Sequence, residues 1–160
     1  MDNEPTSSTT SSPSQDAAEP APAPVTPERK RVLIIDDEAS FARMVKLNLE
    51  KSGEFEVRVE NKPAYALAAA REFKPDLILL DVIMPAMDGG DVANQIKRDR
   101  TLKETPIIFL TATVSKREAG DGGFNSGGEL FLAKPVSVAL LMQRINERIR
   151  KPDPSPQIEP

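Results

Sequence analysis

Five residues that close short apolar runs could do chemistry together. Asp36 and Asp37 follow VLII (32–35), Asp81 follows LILL (77–80), Thr111 follows IIFL (107–110) and Lys134 follows LFLA (130–133). Carboxylates gathered at one place repel each other unless a cation sits among them. Oxygen ligands alone select a hard ion such as Mg²⁺, partly hydrated and open to a phosphate. A carboxylate is also a nucleophile toward phosphorus, forming an aspartyl-phosphate. That transfer asks the protein mainly for positioning and charge neutralisation. A Lys ammonium and a Thr hydroxyl would provide a point charge and a hydrogen-bond donor.

The rest of the composition removes the competing chemistries. The 160 residues contain no His, so there is no Ser-His-Asp triad, imidazole ligand or imidazole base. They contain no Cys, so there is no disulfide, thiol nucleophile or zinc-thiolate site. The longest purely apolar runs are a handful of residues, far short of a membrane span. The N-terminus lacks a basic start followed by an apolar stretch, so no secretory signal is read there. A soluble, cytoplasmic protein is expected, with no membrane association.

The elements that must position these residues alternate. The β-branched run at 31–36 (RVLIID) reads as a strand buried on both faces. Phe41, Met44, Val45 and Leu49 then recur near helical spacing over 39–51, and Gly53 stops that helix. Phe55, Val57 and Val59 alternate with charged residues, giving a strand with one wet face. Asn61 is placed as the cap of a helix over 64–73, which Lys74 and Pro75 end. Strands at 77–80, 107–110 and 130–133 and a helix over 91–98 complete the series. In the final helix, capped by Ser137, Val138, Leu141, Met142, Ile145 and Ile149 share one face. Five βα units imply a flavodoxin-like α/β fold, a doubly wound five-stranded parallel sheet covered on both faces. Ligands in such sheets sit at the carboxyl ends of the strands, where Asp36, Asp37, Asp81, Thr111 and Lys134 fall.

Composition also divides the chain. Residues 1–28 carry five acids, no Lys or Arg, nine Ser/Thr and six Pro, and are expected to be a disordered acidic tail. Residues 151–160, with four Pro, read as a second tail, leaving 29–150 as the domain. That domain holds 20 basic and 18 acidic residues, whereas the tails hold one Lys and seven acids. A core so near neutrality gives no electrostatic case for nucleic-acid binding. The acidic tail is read as a tether, with a basic partner as the other reading.

Four blocks, VLIIDDE (32–38), DLILLDVIMPAMDG (76–89), IFLTA (108–112) and LAKP (132–135), resemble the receiver domain of bacterial two-component response regulators. They stand in that family's order with compatible spacing and cover about residues 30–150. The resemblance implies that Asp81 is the phosphoacceptor, supplied by a sensor histidine kinase or a phosphotransfer protein. It implies a Mg²⁺ site made by Asp37, Asp36 (chiefly through water), Asp81 and the backbone carbonyl of Ile83. It makes Thr111 the switch hydroxyl, Lys134 the phosphoryl-pairing cation and Phe131 the switch aromatic that couples the site to a surface. It also implies a cis peptide bond between Lys134 and Pro135. Such a domain catalyses its own phosphorylation and slow dephosphorylation, and is a signalling switch rather than a metabolic enzyme.

Each residue also has a plainer reading. Asp36 and Asp37 could cap the following helix, Asp81 could start a turn, Thr111 could be an ordinary strand residue, Phe131 core, and Lys134 a solvated rim. Gly89 could give the MPAMDGG turn (84–90) a positive φ. The family pattern weakens at 115–129, where five of the eight Gly fall, so the fourth helix is expected to be short, shifted or absent. An aliphatic Ile83 offers nothing to orient hydrolytic water, so slow self-dephosphorylation is expected. The reading reached is a stand-alone receiver, expected to be monomeric, that signals to an unknown protein target. The alternatives are a phosphorylation-independent interaction module or a phosphate sink. A phosphatase with an aspartyl nucleophile would need a second acid two residues after Asp81, where Ile83 stands.

Overall fold

The computed structural model describes residues 28–113, 120 and 122–149. The strands are β1 Lys30–Ile35, β2 Phe55–Glu60, β3 Leu77–Asp81, β4 Ile107–Thr111, β5 Phe124–Ser126 and β6 Glu129–Ala133. The helices are α1 Ala39–Lys51, α2 Ala66–Phe73, α3 Gly89–Arg98 and α4 Val138–Ile149. One sheet runs in the order β2-β1-β3-β4-β6-β5, parallel throughout except for the antiparallel β5 at its edge. This is the flavodoxin-like α/β architecture with strand order reversing at β1.

Alternation along the strands divides the core between the two faces. Val32 and Ile34 of β1 join Leu77 and Leu79 of β3 against Ala42, Val45 and Leu49 of α1 and Leu141 and Ile145 of α4. Leu33, Ile35, Ile78 and Leu80 pack the other way, against Ala66, Ala69 and Ala70 of α2 and Val92 and Ile96 of α3. A sheet covered on both faces needs apolar side chains at consecutive positions, which is why these strands read as unbroken aliphatic runs. All eight of the named β1 and β3 side chains are fully buried.

Several local expectations change. The sheet has a sixth strand, β5, beyond the five parallel ones. Gly123, Gly127 and Gly128 adopt φ of 84°, 58° and 85°, the left-handed geometry of a tight hairpin rather than of a helix. The part of the unusual Gly-rich stretch that is described therefore turns back as a strand. Residues 115–119 and 121, on which the rest of the fourth-helix expectation falls, lie outside the described residues, as do 1–27 and 150–160.

Asn61 does not cap α2. A 3₁₀ turn at Pro63–Tyr65 leads into that helix, and Asn61 instead donates from Nδ2 to the Asp36 carbonyl at 2.8 Å. Helix α3 begins at Gly89, two residues earlier than expected, because the Asp88 carboxylate accepts from the Gly90 N–H at 2.9 Å and caps it. Gly89 has no positive φ. Its value lies in having no side chain, as the site makes clear.

Candidate functional site

Strand register brings the five residues together. Ile35 of β1 pairs with Leu80 of β3, so Asp36 and Asp81 stand side by side one step later. Leu110 pairs with Asp81, and Thr111 with Ala133, which sets Lys134 one step beyond. The ladder continues past the strand ends to lock these positions. Asp36 N–H donates to the Glu60 carbonyl at 3.1 Å, Val82 N–H to Leu110 at 3.0 Å and Lys134 N–H to Thr111 at 2.8 Å. Neighbouring strands lie about 4.8 Å apart, so successive strand ends place side chains within ion-pairing range.

Carboxylate oxygens of Asp36, Asp37 and Asp81 all lie within 4.8 Å of one another. Asp36 is fully buried, Asp81 is 6 % exposed, and Asp37 faces solvent. Lys134 Nζ reaches over from β6, donating to Asp36 Oδ2 at 2.8 Å and lying 3.5 Å from Asp81 Oδ1 and 3.9 Å from Glu38 Oε2. It also sits 4.3 Å from the centre of the Phe41 ring. The Lys134–Pro135 peptide bond is cis. Asp36 also accepts from the Glu38 N–H through Oδ1 at 2.9 Å, so it shapes the turn into α1 as well as facing the cluster.

The electrostatics follow from burial and crowding. Burial and then the Asp36 charge push the Asp81 carboxyl up from 3.8 to about 6, against the pull of Lys134. Burial works against the Lys134 charge, but the hydrogen bond and charge of Asp36, and then Asp81, outweigh it and hold its pKa above the ordinary value. Two carboxylates facing one ammonium leave surplus negative charge. An all-oxygen donor set with one solvent-facing member suits a hard divalent cation that keeps part of its water. Asp36, Asp37 and Asp81 would hold it. It would supply charge neutralisation for an incoming phosphate.

The raised Asp81 pKa makes a prediction about the metal-free protein. The folded state binds this proton more tightly than the unfolded chain, so ionising Asp81 costs stability. That cost is absent below about pH 4 and complete above about pH 6. Asp81→Asn, which mimics the protonated acid, should therefore stabilise the chelator-treated protein at pH 7.5 by on the order of 2 kcal/mol. The advantage should shrink toward zero at pH 4, as read from paired urea titrations. An advantage independent of pH would refute the assignment.

The remaining site residues are placed as follows. Thr111 is buried, and its hydroxyl pairs with Thr113 Oγ1 at 2.7 Å and accepts from the Thr113 N–H at 3.1 Å, so it is turned toward its own loop. Phe131, half-buried, is sandwiched between Phe109 at 4.7 Å and Phe124 at 5.1 Å, with both pairs of rings near parallel. The Ile83 side chain is 59 % exposed at the rim.

The sequence reading missed the part that four residues play in supporting the site. They are Asn61, which ties β2 to the Asp36 backbone, Phe41 beneath Lys134, Phe124 over Phe131, and Gly89. A Cβ on Gly89 would fall on the Asp81 carbonyl oxygen and within 2.9 Å of Val82 Cα. Asn61 carried a partial signal, a lone Asn closing a strand. The others are visible only once the strands are assembled.

Comparison with known proteins agrees with this geometry. Residues 32–146 match the model of the response regulator receiver domain. The chain is 37 % identical over 130 residues to the DNA-binding response regulator MtrA of Mycobacterium tuberculosis, covering 80 % of this chain and 54 % of that protein. It is 34 % identical over 127 residues to the DNA-binding dual master transcriptional regulator RpaA of Synechocystis, covering 79 % and 52 %. The chain thus spans about half the length of the curated relatives it matches. Among solved structures, the chemotaxis protein CheY4 of Vibrio cholerae superposes with a TM-score of 0.63 at 30 % identity, over 74 % of this chain and 98 % of that one. The receiver domain of the Francisella response regulator 1452 superposes with a TM-score of 0.63 at 28 % identity, over 76 % and 97 %.

Proposed function

The chain belongs to the response regulator receiver family, and from that premise we propose that Asp81 is the residue on which it is phosphorylated. The supporting observation is that Asp81 stands at a strand end beside two further carboxylates and one ammonium, with its oxygens a few ångströms from each. In the proposed step a carboxylate oxygen of Asp81 bonds to phosphorus. The bond from phosphorus to its donor breaks, and the electron pair leaves with the donor, a phosphohistidine of a sensor kinase or of a phosphotransfer protein. Asp36, Asp37, Asp81 and the Ile83 carbonyl would hold Mg²⁺, which would neutralise charge on the phosphate, and Lys134 would pair with the phosphoryl oxygens.

Output follows from two residues that the phosphoryl group would disturb. Thr111 leaves Thr113 and turns its hydroxyl to the phosphoryl group. Phe131, at the switch-aromatic position of the family, then turns inward. That ring cannot move without parting from Phe109 and Phe124, so the edge strand β5 responds with it. The downstream partner is a protein that reads this edge, or a further domain where one is attached.

The test is incubation with Mg²⁺ and acetyl phosphate, followed by intact mass. The wild type should gain one phosphoryl group, and Asp81→Asn or removal of Mg²⁺ should leave the mass unchanged. Phosphorylation that persists in Asp81→Asn would move the acceptor elsewhere. A wild type that never gains mass would favour a constitutive interaction module.

A further inference from the structure

The opposite end of the sheet concentrates charge of the other sign. A cavity of about 880 Å³ opens between the end of α2 and the chain after α3, lined by Arg71, Lys74, Arg98, Asp99, Arg100 and Thr101 among others. Asp99 is the one acid in that lining, and it is already engaged. Arg71 Nε donates to it at 2.6 Å, and Thr101 donates from its N–H and its hydroxyl at 2.9 and 2.7 Å. The Thr101 and Arg71 bonds hold its carboxyl down at about 2, so it stays ionised and committed to them. Lys74, Arg98 and Arg100 make no ion pair among the described residues. Three free cations therefore share one concave surface, where their fields add.

The chain enters the sheet at this same end. Arg31 N–H donates to Asp76 Oδ2 at 2.8 Å, and Asp76 N–H donates to the Arg31 carbonyl at 2.7 Å. The Arg31 guanidinium donates to the Phe73 carbonyl at 3.0 Å and lies 5.6 Å from the centre of the Phe73 ring. The start of β1 is thus clamped to the 73–76 connection that gives Lys74 and Pro75 to the cavity. Ahead of Glu28 stand 27 residues containing Asp2, Glu4, Asp16 and Glu19 and no Lys or Arg. Glu19 has about 30 Å of extended reach from Glu28, and Asp16 more.

We propose that the acidic N-terminal segment of this chain is the occupant of the basic cavity, with Asp16 and Glu19 meeting Lys74, Arg98 and Arg100. Covalent attachment gives these carboxylates a high effective concentration at the cavity, so contacts too weak to hold a separate peptide are populated. The cavity is then shielded from other polyanions, at the end of the domain remote from Asp81.

The test is zero-length carbodiimide coupling on the full-length chain at low salt, read by peptide mapping. An amide should form between Lys74 Nζ and the carboxylate of Asp16 or Glu19. Its yield should fall about tenfold in 1 M salt, where the screening length is roughly 3 Å, and in the double variant Arg98→Glu, Arg100→Glu. The variant Asp16→Asn, Glu19→Gln should lose the amide with no change in thermal midpoint. Mixing isotopically heavy and light chains should give amides only within one chain. Amides between chains would assign the cavity to a second copy and overturn the proposal. So would equal coupling at Lys62, which stands beyond β2 at the other end of the sheet, or no coupling from Lys74 to the segment.

Discussion

Lys134→Met in the metal-free protein should lower the unfolding free energy by about 3–5 kcal/mol, the range for removing one partner of a buried ion pair. The Asp36 side chain is 1 % exposed and that of Lys134 12 %, so little water can replace the lost ammonium. Met is an unbranched side chain of similar length that can lie over the Phe41 ring, which confines the change to the charge. Asp36 would retain its bond from Glu38 N–H but face Asp81 with no cation between them. Millimolar Mg²⁺ should therefore restore more stability to the variant than it adds to the wild type. Urea midpoints with chelator and with Mg²⁺ read both effects. A loss under 1 kcal/mol in chelator would mean that the two carboxylates do not depend on this Lys.

Gly89→Ala should cost about 3 kcal/mol, at the upper end for overpacking because the obstruction is backbone. The added Cβ would meet the Asp81 carbonyl oxygen and Val82 Cα, and neither can rotate away. Gly89 N–H also donates to the Val82 carbonyl at 2.8 Å, so pushing the helix start outward breaks that bond too. Because the strain falls on the backbone of Asp81, phosphorylation from acetyl phosphate should slow as well. The neighbouring Gly90→Ala is the control. Its Cβ would meet only the Asp88 carboxylate, at 3.7 Å, and a helix gains up to about 1 kcal/mol from Ala over Gly. Equal destabilisation of the two variants would show that the α3 start tolerates no side chain at all, and would remove the special role of Gly89.

The corrections to the sequence reading share a cause. Asn61 has the chemistry of a helix cap, and a cap bond and a bond to the Asp36 carbonyl both satisfy it. Only the packing of β2 beside β1 decides between them. Gly89 reads as a turn residue in any sequence, yet its constraint comes from a strand eight residues earlier that passes against it. The β5 edge strand rests on Gly123, Gly127 and Gly128, whose number warned against a helix without saying which alternative the chain takes.

Unbroken aliphatic runs with helical patterns between them were sufficient to specify a parallel sheet buried on both faces, because no other layering hides such strands. A charged or hydroxyl residue at the end of each run was sufficient to point to the candidate site, because connections at the carboxyl ends lie at the surface. Register, in contrast, is a relation between segments far apart in the chain. It set Lys134 against Asp36 across 98 positions and stacked Phe131 between two rings. It likewise brought the entry of β1 beside the basic cavity. Distances of a few ångströms between remote residues depend on how whole strands slide and twist against one another, and no local pattern carries that information.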